Sequence, residues 1–213
     1  MITLYDFLSC PYGQKVRIVL AEKALTYDLV AVDLTQHENR KPEFARLNPF
    51  RRVPVLVDDD VVVYDSTIIN EYIEDEYPEP PVLPAIGSSA MRSRARLFED
   101  LADTQFTPRV DQLIAEISKP ESERDNARFQ RYHQLVEQTL DYLNHELQGN
   151  NFLAGEFSVA DIGFAPRMLV LGEIGIDVLG NNRGNVDAWI KRMLERPSIR
   201  NLQGVAAVPV AGG

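Results

Sequence analysis

The chain has 213 residues, with 32 acidic and 22 basic side chains, a formal net charge of −10 at neutral pH and one cysteine. Acidic surfaces repel the phosphate backbone of nucleic acids, and a single cysteine excludes an internal disulfide scaffold. The start carries no basic leader pattern and no apolar run reaches about 18 residues, so we expect a cytoplasmic protein that binds neither nucleic acid nor membrane.

Strand and helix patterns alternate over the first 77 residues. Strands are indicated by short alternating or apolar runs, and helices by apolar residues at helical spacing. Pro11 suits the first position of the first helix, where its missing N–H is not needed. The predicted elements are, in order, 2–7, 11–23, 28–34, 42–47, 55–57, 61–64 and 66–77. The order βαβαββα predicts a compact α/β domain over residues 1–77.

The composition changes at 78–89, where four prolines fall within seven positions. A helix cannot continue through them, so this segment is predicted to be a linker. Strand patterns then disappear. Helical patterns cover 91–117, 126–147, 158–171 and 186–195. They predict an all-helical domain over 90–202, followed by a frayed tail at 203–213, where the residues are small and uncharged.

The single cysteine, Cys10, stands where the first strand meets the first helix. Free N–H groups and the positive end of the helix dipole stabilise a thiolate at such a place, and a thiolate is the reactive form of cysteine. We therefore expect Cys10 to be reactive; the alternative is a small buried side chain, the commoner fate of an unpaired cysteine. Without a second cysteine, any redox cycle needs an external thiol.

Two further patterns suit a peptide-like ligand. Pro54 precedes the third strand, and a cis Val53–Pro54 bond would expose the backbone of Val53, whereas a trans bond would only start the strand. Ser66 is expected to cap the third helix and leave N–H groups for an anion, while Asp65 beside it suits an ammonium group. A plain helix cap is the alternative for Asp65 and Ser66.

The basic pair at 51–52 either lines the mouth of a cleft or is solvated.

The order of these motifs is informative, together with two motifs in the helical half. They are Cys10-Pro11-Tyr12, Val53-Pro54, Asp65-Ser66, Phe152-Leu153-Ala154-Gly155 and the capping box Ser158-Val159-Ala160-Asp161. In this order they resemble the cytosolic glutathione S-transferase superfamily, whose N-terminal domain is thioredoxin-like and whose C-terminal domain is all-helical. The resemblance covers about residues 2–200. A cysteine at the first helix is similar to the omega class and its glutaredoxin-like relatives.

The resemblance implies glutathione as a co-substrate. His37, His133 and His145 are scattered along the chain without metal-ligand spacing, so no metal is expected. The resemblance also implies that Cys10 forms a mixed disulfide with glutathione during thiol transfer or reduction, or that glutathione is conjugated to electrophiles. Ser9 is the competing catalytic residue of a conjugating enzyme. A small electrophilic or disulfide substrate would bind in the cleft between the domains, and a homodimer is implied.

The same resemblance assigns parts of glutathione to individual residues. Lys41 would contact the glycyl carboxylate, and Val53 and Pro54 the cysteinyl part. Asp65 and Ser66 would hold the γ-glutamyl end, although the family usually has a glutamate where this chain has the shorter Asp65.

Bacterial stringent starvation proteins are similar to this chain too, through 16–23 and 49–57. Those proteins keep the fold, bind RNA polymerase and do not conjugate glutathione. They typically lack a thiol at the start of the first helix, so Cys10 favours an enzyme over this non-catalytic alternative.

Overall fold

A computed structural model of the chain describes residues 1–177 and 182–205. The N-terminal domain contains the predicted strands and helices in the predicted order, and a short 3-10 turn at Glu38–Arg40 in addition. The elements are β1 Ile2–Asp6, α1 Pro11–Glu22, β2 Tyr27–Ala31, α2 Pro42–Leu47, β3 Val55–Asp58, β4 Val61–Tyr64 and α3 Ser66–Glu76.

The four strands form one sheet in the order β2-β1-β3-β4. The central strand β1 pairs in parallel with β2 and antiparallel with β3, and β3 and β4 form the predicted hairpin. β2 ends three residues earlier than predicted, because the Asp33 side chain accepts hydrogen bonds from the backbone N–H groups of Thr35 and Gln36 and turns the chain. This sheet brings the start of α1, the start of β3 and the start of α3 to one edge of the domain.

The second half of the described chain is helical. Its elements are α4 Ser89–Leu101, a π-helical segment Ala102–Phe106, α5 Thr107–Ile117, α6 Asn126–Glu146, α7 Val159–Met168, α8 Gly184–Glu195 and α9 Pro197–Arg200. The prediction of one helix over 91–117 is wrong in detail. Pro108 has no N–H to donate to the preceding turn, and the wider π-helical segment lies just before it. The capping box at the start of α7 is confirmed, since Ser158 and Asp161 bond to each other's backbone.

The linker and the first residues of the predicted tail are tied to the domains. Glu74 of α3 accepts hydrogen bonds from the backbone N–H groups of Val82 and Leu83 in the linker. The carbonyl of Gln203 accepts a hydrogen bond of 3.0 Å from Arg17, so the tail is not frayed at its start. The rest of the predicted tail, 206–213, lies outside the described residues. Of the helices described, none is long and apolar enough to span a bilayer.

A buried ammonium group joins the two domains. Lys15 of α1 donates hydrogen bonds to Glu99 of α4 at 2.9 Å, to Asp103 of the π-helical segment at 2.5 Å and to Thr67 of α3 at 2.9 Å. The side chains of Lys15 and Glu99 are each only 1% exposed. Burial alone would lower the pKa of Lys15, but Glu99 and Asp103 more than offset this and raise it above its ordinary value. Lys15 therefore stays charged and holds helices of both domains together.

Replacing Lys15 with methionine keeps the apolar stem but leaves Glu99 and Asp103 without their cation. We expect the free energy of unfolding to fall by about 3–5 kcal/mol, because breaking a buried ion pair leaves an uncompensated charge. Urea denaturation followed by the fluorescence of Trp189, the only tryptophan, measures this.

Lys191→Met is the matched control, because Lys191 forms an exposed ion pair with Asp187 on α8. We expect this control to cost less than about 1 kcal/mol. Adding Glu99→Gln to the Lys15→Met variant should restore part of the loss. A Lys15→Met variant as stable as the Lys191→Met control would contradict the role given to Lys15.

Candidate functional site

A cavity of about 680 Å³ lies between the edge of the sheet and the helical domain. Its volume is in the range of small-molecule sites. It is lined by Tyr12, Asn48, Phe50, Arg52, Val53, Pro54, Tyr64, Asp65, Ser66, Asp103 and Thr104. Four residues that the sequence singled out as ligand contacts thus meet in one place: Val53, Pro54, Asp65 and Ser66. Among the described residues, no group of three His, Cys, Asp or Glu side chains is arranged to hold a metal ion.

Another cavity, of about 540 Å³, lies between α1 and the last helices. None of the predicted site residues lines it. Its Arg196 and Glu22 form an ion pair with each other. We therefore place the candidate site in the larger cavity.

The loop before β3 forms one wall of that cavity. The Val53–Pro54 bond is cis, which is one of the two alternatives, cis and trans, that the sequence allows. The side chain of Asn48 supports the loop by donating to the carbonyl of Arg52 at 2.8 Å and accepting from the N–H of Phe50 at 2.9 Å. Arg52 lines the cavity. Of the two alternatives predicted for the basic pair at 51–52, the structure therefore favours for Arg52 the one at the cleft.

The start of α3 forms the opposite wall, and its cap is not the residue that the sequence predicts. Asp65, and not Ser66, caps the helix, because its Oδ1 accepts from the N–H groups of Thr67 at 3.0 Å and Ile68 at 3.4 Å. Ser66 is the first helical residue and is buried. Asp65 has a φ of +76°, a region that costs a residue with a side chain of order 1–3 kcal/mol. This strained residue is one of those that line the cavity.

The helical domain closes the cavity with residues that the sequence analysis missed. Asp103 and Thr104 come from the π-helical segment, inside what the periodicity indicated as one helix. Pro108 was the available signal, since a proline within a helical pattern marks an interruption. The position of Asp103 is fixed by Lys15 and by Thr67, whose hydroxyl donates to it at 3.0 Å. Tyr12 donates from its hydroxyl to the Asp103 carbonyl at 3.3 Å.

Three of the predicted site residues do not line this cavity. Lys41 is exposed and pairs with Glu38 at 2.7 Å, so the structure does not bring it to the ligand site. Ser9 and Cys10 lie in the turn between β1 and α1, where the Cys10 N–H donates to the Phe7 carbonyl at 2.7 Å. Cys10 is two residues before Tyr12, which does line the cavity.

The expected lowering of the Cys10 pKa does not occur in this structure. Burial raises the pKa of the thiol to about 11, and Asp6 raises it further, while the amides of Gly13 and Tyr12 and the charge of Arg167 oppose this only in part. The helix N-terminus therefore offsets only part of the cost of removing a thiolate from water.

A buried carboxyl group lies beneath the first turn of α1. Asp6, at the end of β1, forms an ion pair with Arg17 at 3.1 Å. Burial raises the pKa of Asp6 to about 6 even though Arg17 lowers it. A Cβ on Gly13 would lie 1.8 Å from the Asp6 carboxyl, so only glycine fits there. At neutral pH a negative charge thus lies close to Cys10.

Both halves of the chain match a known family. Residues 4–81 match "Glutathione S-transferase, N-terminal domain" and residues 105–197 match "Glutathione S-transferase, C-terminal domain". The chain is 31% identical over 97% of its length to a stringent starvation protein A homolog of Pasteurella multocida, covering 92% of that protein. It is 30% identical over 98% of its length to glutathione S-transferase 3 of Zea mays, covering 95% of it.

A solved structure has the same fold. Glutathione transferase URE2P6 of Phanerochaete chrysosporium, in complex with oxidized glutathione, superimposes with a TM-score of 0.84. It is 27% identical, and the match covers 94% of each chain. The thioredoxin-like first domain and the helical second domain are therefore confirmed.

The raised pKa of Cys10 predicts slow alkylation at neutral pH. The rate of carbamidomethylation by iodoacetamide should rise with pH toward a midpoint near 11, because burial and Asp6 disfavour the thiolate. Mass spectrometry reports this one site without ambiguity, since Cys10 is the only cysteine. Free cysteine, with a midpoint of about 8.5, is the reference, and a protein midpoint below that value would contradict the prediction.

Proposed function

We propose that this chain, which belongs to the glutathione S-transferase family, binds glutathione in the cavity between its domains and joins it through its sulfur to an electrophilic substrate. One observation carries the proposal: the residues that suit a peptide backbone and those that suit an amino-acid end line the same cavity. The activity of the named relatives supports it at the level of the family.

The chemistry of the cavity suits a γ-glutamyl tripeptide. The backbone of Val53 is available for pairing with an extended peptide, as at the edge of a sheet. The N-terminus of α3 suits a carboxylate through the positive end of its dipole, although Asp65 already accepts from the N–H groups of Thr67 and Ile68. Asp65 and Asp103 supply negative charge for the ammonium group of the same amino-acid end. A zwitterion is thus met by both signs of charge within one cavity, with Asp65 on the side of α3 and Asp103 on the side of the helical domain.

The glycyl carboxylate at the other end needs a cation. Lys41 is engaged by Glu38 outside the cavity, which argues against the role that the resemblance gave it. Arg52 lines the cavity, and a guanidinium matches a carboxylate in two-point geometry. We therefore assign the glycyl carboxylate to Arg52 in place of Lys41.

The pKa of Cys10 supports conjugation over thiol exchange. When two thiols lie together, the proton stays on the one with the higher pKa. Burial raises the pKa of Cys10 to about 11, above the value near 8.5 of an ordinary thiol, which favours the charge on glutathione. The glutathione thiolate then attacks the electrophilic carbon. The new carbon–sulfur bond forms as the leaving group departs with its electron pair, and the proton of the glutathione thiol passes to solvent. Cys10 keeps its proton and donates it as a hydrogen bond to the thiolate.

Asp65→Asn tests the ligand site without removing the helix cap, because asparagine caps as well as aspartate. We expect the Kd for glutathione to rise about tenfold or more, since the ammonium group loses a charged partner. Isothermal titration calorimetry measures it. Asp75→Asn, at an exposed position of the same helix, is the control and should leave the Kd unchanged. Equal effects of the two substitutions would contradict the assignment of Asp65.

Substitutions of Cys10 and Ser9 distinguish the two chemistries. With chlorodinitrobenzene as the electrophile, Cys10→Ala should lower kcat about tenfold, because the thiolate loses a hydrogen-bond donor. Cys10→Ser keeps a donor and should retain the rate, and Ser9→Ala should not change it.

Mass spectrometry after incubation with oxidised glutathione at neutral pH completes this test. We expect little adduct on Cys10. A full glutathione adduct there, with no conjugation, would favour the mixed-disulfide reaction that the resemblance to the omega class implies. Conjugation lost in Ser9→Ala alone would assign the role to Ser9.

A non-catalytic protein of the stringent starvation type is the second candidate, because a homolog with that name is 31% identical over nearly the whole chain. The raised pKa of Cys10 also suits a protein without thiol chemistry. No heat of binding with glutathione, together with RNA polymerase co-purifying with the chain, would favour this candidate. Membership of the omega-like class, the homodimer and the cytoplasmic location stay predictions.

A further inference from the structure

A segment near the end of the chain lies against the turn that carries Cys10. The Cys10 N–H donates to the Phe7 carbonyl at 2.7 Å, so residues 7–10 form a tight turn between β1 and α1. Gly204 approaches this turn so closely that a Cβ on it would lie 2.0 Å from the carbonyl oxygen of Leu8. The φ of Gly204 is +74°, so the backbone conformation and the space both require glycine.

Arg17 of α1 connects the same two segments. Its Nη2 donates to the Leu8 carbonyl at 2.5 Å, and its Nη1 donates to the Gln203 carbonyl at 3.0 Å. The side chain is only 5% exposed, and its Nε lies 3.1 Å from the carboxylate of Asp6. The planar guanidinium thus holds both carbonyls in fixed positions while its charge is paired.

Apolar contacts fix the segment on both sides of Gly204. Leu202 and Val205 are partly buried and pack against the main hydrophobic core. Helix α9, which precedes them, packs against α1. Residues 203–205 are therefore held against the Cys10 turn by packing as well as by hydrogen bonds.

We propose that Gly204 and Arg17 are positioning residues for the turn of Ser9 and Cys10: they hold residues 203–205 against Leu8, and this contact keeps the turn in the conformation in which Cys10 is partly buried. Neither residue touches a reacting atom. The inference concerns the free protein, so it holds or fails independently of glutathione binding.

The contact matters for the chemistry of the sulfur. Cys10 is only partly exposed, and burial is the main cause of its raised pKa. A turn that moved away from residues 203–205 would open the thiol to water and make it more reactive. The end of the helical domain thus helps to keep a thiol of the first domain protonated.

The test uses the full chain without glutathione and measures the rate constant for alkylation of Cys10 by iodoacetamide at a fixed pH. Gly204→Ala places a methyl group against the Leu8 carbonyl, so the turn or the segment has to move. We expect the rate constant to rise by about fivefold or more, because the displaced turn exposes Cys10. Gly149→Ala is the matched control, since Gly149 has a φ of +76° but a Cβ there meets no atom within 4 Å. It adds the same backbone strain without the contact and should leave the rate constant unchanged.

Arg17→Lys tests the other half of the contact. Lysine keeps a positive charge beside Asp6 but lacks the fork that reaches two carbonyls, so the rate constant should rise by about threefold or more. Arg124→Lys is the control, because Arg124 also donates to two backbone carbonyls, those of Lys119 and Ile117 between α5 and α6. It should leave the rate constant unchanged.

Hydrogen exchange separates a local opening from a loss of the whole fold. A local opening in Gly204→Ala predicts faster exchange of the Cys10 N–H, which is bonded to Phe7. It predicts unchanged exchange at Leu140, which is buried in the middle of α6. A loss of the whole fold speeds exchange at both amides.

If Gly204→Ala does not fold, the two arginine variants carry the test. The proposal is overturned if Gly204→Ala folds and reacts no faster than Gly149→Ala, or if Arg17→Lys reacts no faster than Arg124→Lys. It is also overturned if faster alkylation is accompanied by equally faster exchange at Leu140.

Discussion

The buried ammonium group of Lys15 is the constraint on which the site depends. A charge removed from water is tolerated only with partners close by, and Glu99, Asp103 and Thr67 supply them from two domains. The same contacts that neutralise Lys15 also place Asp103 against the start of α3, where it becomes part of the cavity wall. The polar interface between the domains is therefore also part of the candidate site.

A second consequence of burial concerns sulfur. A helix N-terminus favours a thiolate only if its N–H groups reach the sulfur and water is not fully lost. Here the amides of Gly13 and Tyr12 lower the pKa of Cys10 by less than burial raises it, and the nearby carboxyl of Asp6 opposes a second negative charge. Burial and Asp6 therefore keep the Cys10 sulfur protonated at neutral pH.

The family hosts more than one function on this fold, because function depends on the site and not on the architecture. The transferase of Zea mays and the starvation protein homolog of Pasteurella multocida are similar in sequence to this chain to a comparable degree, at 30% and 31% identity. The ionisation of one sulfur and the charge at Asp65 are the properties that separate the alternatives.

The sequence by itself determined the order of elements, the division into two domains and four of the residues in the cavity, because hydrophobic period, proline and turn residues are local signals. Only the tertiary structure decided that Asp65 is the cap, that Lys41 pairs elsewhere and that Asp103 joins the site. The pKa of Cys10 was likewise beyond the sequence. Burial and electrostatic interactions depend on distances in space, which the spacing of residues along the chain does not give.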